Sequence, residues 1–171
     1  RRTMKIHLKR SVTVCLAMML FLVSTFTAYA QTDNSSAGMM VKEYSGEDYA
    51  RVVASPRGEL TSSVQLELVE EGFRTVSIYS EVLCHVEVRK IKMSVSLQKS
   101  TSSGWTDVNR KVFTWEKEDY PNEYLSMATV SYNIGALSAG TYRLKGSYSV
   151  YELDGTLQEF RTVTTPGMEI R

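Results

Sequence analysis

Cysteine, proline and histidine are scarce in this chain. Its 171 residues include two Cys, three Pro and two His. So few cysteines exclude a disulfide-dense scaffold, and so few prolines leave no Pro-rich stalk. Beyond the first 30 residues there is no long apolar run, and no basic cluster exceeds the pairs Arg89-Lys90 and Arg110-Lys111. No G-x-S-x-G, H-E-x-x-H, P-loop or G-x-G-x-x-G pattern occurs. Collagen-like, coiled-coil and low-complexity classes are excluded as well. What remains is an ordinary globular composition, 43% hydrophobic and 23% charged, with enough chain for one domain.

The amino terminus reads as an export signal. Arg1, Arg2, Lys5, Lys9 and Arg10 precede an uncharged run whose apolar centre is Val12 to Val23. The run ends in Ala28-Tyr29-Ala30, the small-x-small pattern that signal peptidase accepts, so cleavage is expected between Ala30 and Gln31. The competing expectation is an uncleaved anchor, because Ser11 to Thr32 carries no charge. Ser24, Thr25 and Thr27 weigh against it. Cys15 lies in the middle of the run, which is the wrong place for a lipidated cysteine. Without the five leader cations, the 20 basic residues fall to 15 against 19 acidic ones, a net charge of −4. That sign gives no attraction to phosphate backbones or anionic membranes, so nucleic acid is not an expected partner, nor is a membrane after cleavage. Cys84 then stands alone and is expected to be buried.

Residues 31–50 are polar and aperiodic, and a disordered lead is expected there. Asn34-Ser35-Ser36 within it matches a glycosylation acceptor. From 51 to 171 the pattern becomes β. Val64, Leu66 and Leu68 alternate with polar residues, and Glu70-Glu71-Gly72 supplies a turn. Val76 and Ile78 share a face with Arg74 and Ser80. Ile91, Met93, Val95 and Leu97 form the cleanest alternation. Trp105 to Lys117 has mixed parity, which predicts a strand pair or one long bulged strand. Ala128, Val130, Tyr132 and Ile134 share one face; Tyr142, Leu144, Gly146, Tyr148 and Val150 share another. Asp154-Gly155 signals a hairpin into a strand from Leu157 to Thr165, ended by Pro166-Gly167. The fold expected is all-β: an antiparallel two-sheet sandwich, immunoglobulin-like, of about seven strands, after a signal peptide helix over 1–30. Leu137 to Tyr142 has the makings of a tyrosine corner, although Tyr142 as a plain core aromatic fits the pattern equally.

Two stretches, Cys84 to Val108 with its "SLQKSTSSGWTDV", and Ala139 to Arg171, carry a resemblance. With Arg57-Gly58 before the first strand and a terminal G-x-x-I, the chain resembles a family of small secreted proteins of Gram-positive, clostridial-type bacteria, catalogued as a domain of unknown function. The resemblance covers Arg57 to Ile170. It implies a secreted β-domain and assigns no activity. Where the family pattern carries Thr-Ala and a strand His, this chain has Glu81-Val82 and Tyr148, so no role of that His carries over.

Each candidate chemistry has a plainer counterpart. Cys84, His85 and Glu87 supply a nucleophile, a base and a ligand by type. Neighbouring strand residues point to opposite faces, however, and two metal ligands are too few. The acidic segment from Glu116 to Glu123 offers a carboxylate pair for glycoside hydrolysis, and Glu118, Asp119 and Glu123 offer oxygens for calcium; a solvated loop explains both. The better lead is aromatic. Trp115, Tyr120 and Tyr124 cluster around that loop, as rings that stack on sugars would. Trp105 is expected to pack under its hairpin. The expectation is a non-catalytic extracellular module without cofactor, binding a protein or glycan. The alternatives are a hydrolase using the 116–123 loop and a matrix component assembling through edge strands.

Overall fold

The computed structural model describes residues 39–156 and 158–171. The leader, its cleavage site, the competing anchor segment, the Asn34 triplet and Leu157 lie outside these residues. The strands are β1 (Met40–Ser45), β2 (Tyr49–Ser55), β3 (Thr61–Gly72), β4 (Thr75–Cys84), β5 (Lys90–Thr101), β6 (Gly104–Glu116), β7 (Met127–Ile134), β8 (Gly140–Tyr151), β9 (Gln158–Thr164) and β10 (Met168–Ile170). A 3-10 turn, Lys117–Asp119, follows β6. No helix among the described residues is long and apolar enough to cross a membrane.

Alternation builds two antiparallel sheets. One has the order β1-β2-β3-β4-β7. The other runs β10-β8-β5-β6, with β9 also on β8. β9 and β10 pair successive stretches of β8 along one edge, interrupted at Pro166-Gly167. From β3 onward the connections follow the immunoglobulin-like Greek key, with β3-β4-β7 in one layer and the β9–β10 edge, β8, β5 and β6 in the other.

Among the described residues the strand count is ten rather than about seven, because β1 and β2 add a hairpin ahead of this unit and the last edge is split into β9 and β10. The disordered lead expected over 31–50 is thereby corrected from Met40 onward, while residues 31–38 lie outside the described residues. Met40–Ser45 pairs residue by residue with Ala50–Ser55. All six residues of β1 are exposed on both faces, so no hydrophobic alternation marks it.

The core lies between the layers. Val64, Leu66 and Leu68 of β3, Val76, Ile78 and Val82 of β4, Ile91, Met93, Val95 and Leu97 of β5, and Leu144, Tyr148 and Val150 of β8 are buried. Each such side chain contributes about 1.5–3 kcal/mol of apolar burial. Ser80 is the one polar member of its stripe. Its Oγ lies 2.7 Å from the Tyr148 hydroxyl, joining the two sheets inside the core. Cys84 is buried as expected.

Local details follow chemistry readable in the chain. β6 is one long strand with a bulge at Val108, where the pairing jumps from Leu97–Asn109 to Gln98–Asp107. The β3–β4 turn falls at Phe73-Arg74, just beyond the expected Glu70-Glu71-Gly72. Both residues adopt left-handed backbone, φ 51° and 57°, at a cost of about 1–2 kcal/mol each. The tyrosine corner forms: the Tyr142 hydroxyl donates to the Ser138 carbonyl at 2.8 Å. Gly140, at φ 146°, leaves room for Lys99, whose ammonium caps Ser138 and Ala139.

Candidate functional site

The β6–β7 connection brings the three expected rings together. Trp115, next to last in β6, lies on its inward face and packs half-buried against the core, its ring centroid 6.2 Å from that of Phe113. Tyr120 and Tyr124 follow in the loop, 38% and 66% exposed. These rings, with Glu123, Leu125, Ser126 and Met127, line a cleft of about 360 Å³.

Two residues that the sequence pattern gives no part in this loop hold it, Glu87 and Lys117. The Lys117 ammonium reaches the Glu87 carboxylate at 2.7 Å and donates to the carbonyls of Tyr120 and Glu123. The Glu87 amide donates to the Tyr124 hydroxyl at 2.9 Å. Tyr124 is thus anchored at its polar tip and bare along its ring. Met127, the first residue of β7, adds an apolar wall. Glu87 and Lys117 are 30 positions apart in the chain, with nothing in the pattern to link them.

The carboxylates of the same segment turn elsewhere. Glu116 pairs with Lys90 at 2.5 Å and Glu118 with Arg89 at 3.2 Å. These two pairs line a separate recess of about 250 Å³, with Tyr151 and Gly155. The Glu118 carboxyl is held below its ordinary range by its own backbone amide first, and then by Arg89. A general acid needs the opposite shift. Glu118 is thus engaged in an ion pair rather than poised as a general acid. Among the described residues no three His, Cys, Asp or Glu converge to hold a metal, and Glu118, Asp119 and Glu123 do not form such a group.

Cys84 and His85 lie as strand parity demands, one buried and one exposed. Burial first, then the charge of Glu159, pushes the Cys84 thiol up to about 12, far from a nucleophilic thiolate. Trp105 does structural work outside the cleft. Arg143 lies 4.2 Å over its ring, and the Arg143 Nε donates to Gln98, whose amide in turn donates to Asp107. No family model matches the chain, and no curated protein matches it either.

Proposed function

We propose that this is a secreted, non-catalytic β-sandwich module that binds a glycan at the Trp115–Tyr120–Tyr124 cleft. The observation that carries the reading is the state of Tyr124. Its ring is mostly bare while its hydroxyl is fixed to the Glu87 backbone, so a flat apolar face stands preorganised in the cleft. Such a face stacks on the apolar side of a sugar ring at little entropic cost. Glu123 and Ser126 supply polar atoms beside it for hydroxyl groups. Export rests on the leader pattern of residues 1–30.

A glycan array probed with the purified protein tests this. A defined class of sugar is retained, and Tyr124→Ala weakens it at least about tenfold, or 1.4 kcal/mol. Retention of no glycan, or retention indifferent to Tyr124→Ala, rejects the reading.

A further inference from the structure

A sandwich has four lateral edges, and each offers unpaired backbone groups to another chain. Three of them are guarded here. β1 carries Lys42 and Glu43. β6 carries Asp107, Arg110 and Lys111 and is kinked by its bulge. The β9–β10 edge carries Glu159, Arg161 and Glu169 and is broken at Pro166. β7 has none of these devices. Its sequence MATVSYNI is uncharged, and neither a charge nor a proline falls between Glu123 and Arg143. It pairs with β4 on one side only, so every second residue presents a free N–H and C=O on the other.

We propose that β7 is the surface through which two copies of this chain pair, antiparallel, about a two-fold axis at Ser131. An axis normal to the sheet keeps each residue on its own face, so opposed residues must share parity. Centring on Ser131 opposes Val130 to Tyr132 and Ala128 to Ile134 on the inward face. On the outward face Thr129 meets Asn133 and Ser131 meets itself. These are β-branched–aromatic, small–large and polar–polar pairs, the combinations that stabilise cross-strand contacts. Centring on Val130 instead would oppose Met127 to Asn133. Val130, Tyr132 and Ile134 are only half-buried in the single chain and gain cover from the second copy.

The same pairing accounts for an otherwise idle feature. It carries the Met127 end of one copy alongside Gly135 of the second. The Gly135 end of β7 adjoins the strained turn, because the Leu137 amide donates to the Arg74 carbonyl at 3.1 Å. Phe73, fully exposed at that turn, thereby comes near the other copy's cleft wall.

Sedimentation of the purified protein over a range of concentrations tests the pairing. The unaltered chain shows a monomer–dimer equilibrium. Ser131→Lys, at an exposed position, places two like charges face to face and weakens the dimer at least about tenfold. Ser131→Glu does the same alone, and mixing the two variants restores a heterodimer. A chain monomeric at its highest attainable concentration overturns the proposal. So does a dimer indifferent to Ser131→Lys, or a mixture that stays monomeric. Glycan retention by Ser131→Lys reports separately on the cleft.

Discussion

Glu159 and the acidic loop from Glu116 to Glu123 put carboxylates to opposite uses. Glu159 is one side chain on β9, pointing inward and buried. The amides of Glu59, Leu60 and Thr61 all donate to it, at 2.5, 2.9 and 3.0 Å. It therefore locks the β2–β3 connection onto the second sheet. Gly58 belongs to the same lock, since a Cβ there would collide with the Glu159 carboxylate oxygens. The loop holds four carboxylates, and Glu116 and Glu118 among them spend theirs on surface ion pairs. The number of charges in a segment says little about their structural role. Desolvation and the directed donors that offset it decide that.

The largest effect expected is at Glu159. Burial pushes its carboxyl up, but the Leu60 and Thr61 amides and Arg161, 3.5 Å away, outweigh this and hold it below the ordinary 4.5. Glu159→Ala leaves three amides without their acceptor and costs about 3–5 kcal/mol in urea denaturation. The pH dependence has a definite sign. A depressed carboxyl contributes stability that is fully present above its unfolded value of 4.5 and is lost as pH falls through the lower folded value. The unaltered protein weakens in acid below about pH 4.5, and Glu159→Ala flattens that limb. A loss under about 1 kcal/mol, or an unchanged acid limb, would place the lock elsewhere.

Sequence reading found the core and missed the lock for the same reason. Period two shows wherever one face is apolar and the other wet, as in β3, β5 and β8, so those strands and their buried faces were legible. β9 inverts the rule. Its charged Glu159 points inward while Phe160 is exposed, so parity alone places the wrong residue in the core. β1 has no buried face at all, and its pattern is silent. The aromatic trio was legible because its members are close in sequence. Glu87 and Lys117 were not, because only the β5–β6 hairpin brings them together.

An intermediate effect is expected at Lys117, which lies between the two extremes. Its ammonium is partly shielded and serves one carboxylate and two loop carbonyls. Lys117→Met keeps the aliphatic stem and removes those bonds, costing about 1 kcal/mol. The loop should loosen more than the sandwich does. Hydrogen exchange at the Glu123 amide, bonded to the Tyr120 carbonyl at 3.1 Å, should accelerate while the amides of β5 keep their protection. Uniform loss of protection would mean that Lys117 supports the fold rather than the cleft.

The smallest effect is expected at Glu118. Its pair with Arg89 is made by side chains 58% and 54% exposed, where water and salt screen the attraction and ordering two long side chains offsets what is left. Glu118→Gln keeps the shape and removes the charge. The urea midpoint should stay within measurement scatter of the unaltered protein, in low salt and in high, and the acid limb set by Glu159 should not move. Glycan retention should also hold, because Glu118 lines the recess beside Arg89 rather than the aromatic cleft. A clear drop in the midpoint that vanishes in high salt would show the loop's ion pairs acting as a network, and the contrast with Glu159 would then be one of degree.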